Sequence, residues 1–367
     1  VDAFLGGRLE VQSARGVVGP DRLLIACLDE AIAGRVLVCG GREGVAAIAA
    51  ARLFPEAAVE HFHLDAYESL RARQALARNG AGSVACRIGA DLPGGGTYDW
   101  VLLPLSRIGE LVLASELIQE ARDSLREGGK LLCAVDNPRD RWVHERVLET
   151  FGAATIRLRE KQGMAYIARK RRGEEPRRRD FRRRFSATVF GKELEIETRP
   201  GVFSHGEFDE GALALSEMAP IGEGARVVDL GCGSGILGIG AALAAPGGRV
   251  LLADSNARSA RAARENAVRN GAAGNMLVLL ACDLGAVRDA SFDVVLANPP
   301  YYADHRITEL FVREGHRVLA RGGVLHLVTR SAERPAEIIR ASFGGLRSAR
   351  RRGYHVLSAE RRDGGAG

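Results

Sequence analysis

Short apolar runs alternate with longer helical patterns in the second half of the chain. The runs Val227 to Leu230, Val250 to Ala253, Leu277 to Ala281, Val294 to Ala297 and Val324 to Val328 have the length and apolar continuity of buried strands. Between the second and third, Asn256 to Asn270 reads as a helix, with Ser255 or Asn256 as its cap and Gly271 as its stop. Strands alternating with helices predict an α/β fold with a mostly parallel sheet covered on both faces. Asp254, Asp283 and Asn298 fall at the carboxyl ends of these strands, the edge where open α/β sheets bind ligands.

The first half repeats the pattern. "RVLVCGGREGVAAIAAA" begins at Arg35 and "RVVDLGCGSGILGIGAA" at Arg226, 191 residues later. "YDWVLLPLS" pairs with "FDVVLANPP", and "LREGGKLLCAV" with "LARGGVLHLV". Asp99 and Gly128 are 29 residues apart, as are Asp293 and Gly322. Three blocks at preserved spacing indicate a duplicated, Rossmann-like domain. The segment "RKRRGEEPRRRDFRRRF" between the copies has no apolar period and carries Gly173 and Pro176, as a linker does. The expected organisation is a first domain over 1–168, a basic linker over 169–185 and a second domain over 186–367.

Length and composition agree with two domains. The chain has 367 residues, 46% hydrophobic and 27% charged, ordinary values for a globular protein. Six scattered cysteines without a C-x-x-C pair, and no histidine cluster, point away from a disulfide framework and from a metal site. No stretch approaches the roughly 18 apolar residues of a membrane span, and a cytoplasmic location is expected. The net charge of +6 is local: residues Arg169 to Arg184 hold ten Lys/Arg against three Asp/Glu, leaving the remainder near neutral. Such a segment is either a solvated tether or a strap for polyanions, with Arg177, Arg178 and Arg179 beside Phe181 and Phe185 suited to phosphates and exposed bases.

The loop "DLGCGSGILG" follows the first strand of the second half, and Gly231, Gly233 and Gly235 let backbone approach a ligand at a helix N-terminus. Gly233 to Gly238 also satisfies G-x-G-x-x-G, a weak signal alone. Asp229 separates the possibilities, because a carboxylate beside the loop repels a pyrophosphate but attracts an ammonium. S-adenosylmethionine has an ammonium and no phosphate. Asp254 is then placed for its ribose hydroxyls and Asp283 for its adenine amino group. In the first half Val38 replaces Asp229, Arg42 replaces Gly233 and Pro104 replaces Asn298, while His63 or Asp65 stands for Asp254. That copy is expected to keep the fold and to have lost the cofactor.

"NPPY", Asn298 to Tyr301, supplies chemistry for a planar amino nitrogen, a poor nucleophile because its lone pair is delocalised. The Asn298 side-chain oxygen and the Pro299 carbonyl can each accept one N–H, orienting the nitrogen. Pro299 and Pro300 restrict the backbone, and Tyr301 offers a face for stacking. No metal, nucleophilic cysteine or histidine base is needed; Cys232, His205, His305, His316 and His326 are read as packing or surface residues.

These residues resemble the class I S-adenosylmethionine-dependent methyltransferases acting on planar amino nitrogens. "RPGVFSHGEFDEG", Arg199 to Gly211, is similar to the stretch before the catalytic fold in bacterial ribosomal RNA guanine-N2 methyltransferases of the RsmC type, which are tandem duplications with a degenerate first half. The resemblance covers Pro200 to Val328 and, as architecture alone, residues 1 to 170. It implies methylation of a guanine in ribosomal RNA, most simply 16S RNA of the small subunit, with Asn298, Pro299 and Tyr301 at the target base and Phe203 over the cofactor or base. Tyr301-Tyr302 departs from the Phe-His more usual in that family. The partner expected is ribosomal RNA or a ribosomal subunit; oligomeric state is not legible. Protein-glutamine or DNA adenine methylation, and a non-catalytic RNA-binding assembly factor, stand as alternatives.

Overall fold

The computed structural model describes residues 1–28, 32–107, 110–173, 178–300 and 305–362. The chain forms two compact units, Val1–Phe181 and Arg182–Gly367. In the first, β1 (Asp2–Phe4) and β2 (Leu9–Val11) make a small hairpin before α1 (Gly19–Ala26) and β3 (Arg35–Cys39). Next come α2 (Val45–Leu53), β4 (Ala58–His63), α3 (Ala66–Arg78), β5 (Ala85–Ile88) and β6 (Tyr98–Leu105). The unit ends with α4 (Leu111–Ser124), β7 (Leu125–Val135), α5 (Trp142–Phe151), β8 (Thr155–Glu160) and β9 (Gly163–Arg169). The second opens with the hairpin β10 (Arg183–Val189) and β11 (Lys192–Thr198), then α6 (Glu210–Met218) and β12 (Arg226–Leu230). After these come α7 (Ile236–Ala244), β13 (Arg249–Asp254), α8 (Ala257–Arg269), β14 (Met276–Leu280) and β15 (Phe292–Ala297). It closes with α9 (Arg306–Val318), β16 (Leu319–Thr329), α10 (Glu333–Arg340), β17 (Gly344–Arg351) and β18 (Tyr354–Glu360).

Among the described residues each unit contains one seven-stranded sheet. The orders, β5-β4-β3-β6-β7-β9-β8 and β14-β13-β12-β15-β16-β18-β17, are the same topology. Pairing is parallel except at the closing hairpins. Helices cover both faces, so each sheet feeds two cores: Val227 and Leu252 pack on one side, Val228 and Leu251 on the other. Successive strand side chains point to opposite faces, which is why the apolar runs lack polar alternation. The tandem Rossmann-like α/β architecture expected from the sequence is therefore present.

The repeated residues have repeated jobs. Asp99 accepts the backbone N–H of Arg35 at 2.8 Å, and Asp293 that of Arg226 at 2.9 Å, joining the starts of neighbouring strands. Asn79 exchanges two hydrogen bonds with the Gln12 backbone, and Asn270 does the same with Glu195, tying a helix end to the entering hairpin. The strand β4 ends at His63 as β13 ends at Asp254, while Asp65 caps α3 as Asn256 caps α8. His63 is thus the counterpart of Asp254.

The segment between the copies differs from a plain linker. Strand β10 begins at Arg183, with Arg183, Arg184 and Phe185 paired to Thr198, Glu197 and Ile196. Its arginines face outward while Ala187 and Val189 are buried, a period of two hidden by the run of charge. No helix among the described residues is long and apolar enough to cross a membrane.

Candidate active site

The second unit gathers its polar groups at the carboxyl edge of β12, β13 and β15. The glycine loop after β12 turns with positive φ at Gly231, Gly233 and Gly235. A Cβ on Gly235 would lie 2.9 Å from the Ala263 Cβ, and one on Gly231 2.9 Å from the Phe311 ring. A Cβ on Gly233 would instead meet the Phe203 Cβ alone, at 3.8 Å, so this glycine faces a roomier side, beneath the Phe203 loop.

Two carboxylates hold the loop. Asp254 accepts the N–H of Gly233 at 2.9 Å and that of Asn256 at 2.8 Å. Asp229 is buried and accepts the N–H of Gly238 at 3.0 Å, fastening α7 to β12. Burial pushes the Asp229 carboxyl from 3.8 up to about 7; the Gly238 N–H opposes this rise, and the charge of Asp254 adds to it. Asp283, three residues beyond β14, is exposed and closes a local turn by accepting the Gly285 N–H at 2.9 Å.

Phe203, 45% exposed, is carried by a loop pinned from α8. The fully buried Arg258 donates to the Pro200 carbonyl at 2.7 Å, and the Asn256 amide to that of Gly201 at 3.0 Å. Asn266 donates to both Glu197 and Ser234 carbonyls, joining β11 to the glycine loop. None of these α8 residues stood out as functional in the sequence; only the capping position of Asn256 was legible.

Asn298 follows β15 directly and is half-buried, with Pro299 buried and Pro300 half-buried. Its Nδ2 donates to Oδ2 of Asp209, the N-cap of α6, whose Oδ1 accepts the Gly211 N–H at 3.0 Å. Asp209 was also missed, although an acidic residue before an apolar helical pattern is a capping signal. Tyr301, Tyr302 and Arg177 lie outside the described residues.

Cys232 is buried and burial raises its thiol well above the ordinary value, which suits packing rather than nucleophilic attack. His326 is buried against Ser358, His316 packs on Phe343 and His205 bonds Thr198. Among the described residues no group of His, Cys, Asp or Glu has the makings of a metal site. Arg178 and Arg179 are exposed but pair with Asp123 and Glu149, both at 2.8 Å, so their charges are partly met within the first unit.

At the equivalent edge of the first unit, buried side chains bond one another and the surrounding backbone. Glu43 is buried, pairs with Arg71 and accepts from Ser13 and the Ala14 N–H. His61 is buried with Nε2 2.9 Å from the Gly40 carbonyl, and burial lowers its pKa to about 4, keeping it neutral. Val38 leaves no carboxylate on β3; instead Asp21 of α1, also buried and pushed up to about 7, accepts the Arg42 N–H.

A family model of the methyltransferase small domain matches residues 9–164 and 193–358. Ribosomal RNA small subunit methyltransferase C of Pseudomonas aeruginosa (strain LESB58) is 32% identical over 184 residues, 48% of this chain and 54% of that protein. The protein of the same name from Hahella chejuensis is 33% identical over 191 residues, 50% of this chain and 55% of its own length. The chain spans about half the length of these curated relatives. Among solved structures, the 16S rRNA N2 G1207 methyltransferase RsmC of T. thermophilus, in complex with AdoMet and guanosine, aligns with a TM-score of 0.76 at 25% identity. That alignment covers 97% of this chain and 98% of the other.

The raised pKa of Asp229 predicts a pH signature. The folded chain binds this proton more tightly than the unfolded chain, so the stability it contributes is fully present below the unfolded value and is lost as pH rises through about 7. A shift of this size corresponds to about 4 kcal/mol at most, taking about 1.4 kcal/mol per pH unit. Asp229→Asn should therefore gain stability relative to wild type as pH rises through that window, measured by urea unfolding at matched pH. Parallel profiles for the two proteins would remove the assignment.

Proposed function

Since the chain belongs to the methyltransferase small domain family, we propose that its second unit methylates the exocyclic N2 of a guanine in small-subunit ribosomal RNA, using S-adenosylmethionine. The observation that carries this is Asn298 at the end of β15, its amide nitrogen engaged by Asp209 and its oxygen therefore directed the other way, two strands from Asp254. Similarity to enzymes named for small-subunit ribosomal RNA, one solved with guanosine, supports the choice of base. Cytoplasmic location follows from that substrate.

The residues present fit the cofactor. The side of Gly233 beneath Phe203 is the roomy part of a loop otherwise closed against added atoms. Asp254 at the end of β13 would hold the ribose hydroxyls, Asp229 would supply negative potential toward the ammonium, and Asp283 would take the adenine amino group. When bound, S-adenosylmethionine supplies a methyl carbon activated by its sulfonium.

The chain's own contribution is orientation. The guanine amino group donates one N–H to the Asn298 Oδ1 and the other to the Pro299 carbonyl, which aims the nitrogen lone pair; Tyr301, by its place in the Asn-Pro-Pro-Tyr sequence, would offer the base a stacking face. Positioning of this kind lowers a barrier by roughly 7–11 kcal/mol. The base must leave its helix, at a cost of a few kcal/mol that is least in unpaired RNA. Basic residues of 169–185 offset this through phosphate contacts. The α/β first unit also lacks the helical character expected of an N-terminal domain in protein-glutamine enzymes.

Tritiated methyl transfer from S-adenosylmethionine to unmodified 16S RNA, free and assembled with small-subunit proteins, tests the proposal. Asn298→Ala should lose about 100-fold or more in rate; equal rates in both proteins would reject it. Titration calorimetry should find one cofactor equivalent per chain, since the first unit's loop is occupied by Glu43 and its partners; two equivalents would contradict the degenerate first copy. Replacing Arg177, Arg178 and Arg179 by Ala should reduce the slope of log affinity against log salt by roughly 1 to 3. An unchanged slope would make the segment a tether.

A further inference from the structure

The two ends of an asparagine amide are almost the same size and opposite in hydrogen-bond sense. With the oxygen toward the cleft, Asn298 accepts from an amino group; with the NH2 there, donor meets donor and the target nitrogen is turned away. Something must therefore choose between the two orientations. Asp209 is built to do so. Its Oδ1 is engaged by the Gly211 N–H at the start of α6, and its Oδ2 meets the Asn298 Nδ2. An ionised carboxylate only accepts, so the Asn298 nitrogen is drawn to it and the oxygen is left on the opposite side.

The support behind Asp209 is a helix packed on the core. Helix α6 packs its buried Ala212, Ala214 and Leu215 in the core. At its surface the turn joining β17 to β18 grips it, with Arg351 and Arg352 on Glu217 and Arg352 on Glu210. The first unit gives an internal comparison. Val18, 191 residues before Asp209, is the N-cap of α1 and offers no carboxylate, and β6 has Pro104 where Asn298 follows β15. The copy without the amide is also without its holder.

We infer that Asp209 is a positioning residue that sets which end of the Asn298 amide faces the substrate. The inference rests on reading Asn298 as the acceptor for the guanine amino group, and it goes beyond that reading by assigning the selection of the acceptor to a helix cap 89 residues away. A helix-capping role alone makes different predictions, because an amide can cap a helix but presents a donor where the carboxylate presented an oxygen.

Four variants separate the cases: Asp209→Asn, Asp209→Ser, Asn298→Ala and the reciprocal double variant Asp209→Asn with Asn298→Asp. In Asp209→Asn the new amide caps Gly211 with its oxygen, and its NH2 pulls the Asn298 oxygen out of the cleft. Helix content and cofactor affinity by calorimetry should match wild type, and KM for 16S RNA should stay within about threefold, while kcat falls about 100-fold. Asp209→Ser keeps a capping oxygen but is too short to reach, and should also lose kcat rather than KM. In the double variant donor and acceptor exchange places, and a carboxylate oxygen again faces the cleft; kcat should recover at least about tenfold over Asp209→Asn, as coupled neighbours do. With selective 15N-asparagine labelling, the side-chain NH2 pair of Asn298, assigned by its absence in Asn298→Ala, should shift in Asp209→Ser.

Wild-type kcat in Asp209→Asn and Asp209→Ser beside an inactive Asn298→Ala would overturn the inference and leave the proposed function standing. Failure of the double variant to exceed Asp209→Asn, or losses of kcat that merely follow losses of folding or cofactor affinity, would overturn it as well. Full transfer by Asn298→Ala would instead reject the reading of Asn298 on which it rests.

Discussion

The carboxyl edge of the second sheet depends on how one strand-to-helix turn satisfies its backbone N–H groups. Buried peptide donors left without partners cost free energy comparable to a lost hydrogen bond. Here Asp254 on β13 takes the Gly233 N–H and Asp229 on β12 takes the Gly238 N–H. Two adjacent strands thus hold one loop, with Phe203 above it and Asn298 at the end of the neighbouring strand β15. The buried position of Asp229 raises its pKa, so the same carboxylate that orders the loop also introduces electrostatic cost.

The first unit meets the same backbone requirement with other residues. Asp21 reaches in from α1 where β3 has Val38, and Glu43 and His61 engage the surrounding hydrogen-bond groups. The two copies agree where residues hold the scaffold and diverge where they would touch a ligand. Asp99 and Asp293 join strand starts at the amino edge, and Asn79 and Asn270 fasten the outer hairpin. The divergent positions, Val38, Arg42 and Pro104 against Asp229, Gly233 and Asn298, lie at the opposite edge. Because the edges are separated by the length of a strand, one can change without loosening the other.

Charge is less available than its count suggests. Arg178 and Arg179 lean on carboxylates of the first unit, Arg184 pairs with Glu197 across the β10–β11 hairpin, and Arg351 and Arg352 grip α6. Exposed pairs of this kind are worth roughly 0 to 1 kcal/mol, so phosphates can compete for the arginines at low energetic cost. The basic segment thus has both roles within reach: a structural one through its local pairs and an electrostatic one through their exchange.

The sequence by itself determined the fold class, the duplication and most strands, because burial on both faces of a parallel sheet forces short, uninterrupted apolar runs and because repeated spacing survives side-chain change. It also located the glycine loop and the Asn-Pro-Pro turn, whose chemistry is local. It could not reveal the start of β10, where a run of arginines masks the alternation beginning at Phe185. Nor could it say what Arg258, Asn266 and Asp209 bond, since their partners lie 58, 69 and 89 residues away. Only the tertiary structure decided those matters. The direction of an amide and the destination of a buried guanidinium are set by what packs against them through space, and no periodicity along the chain records that.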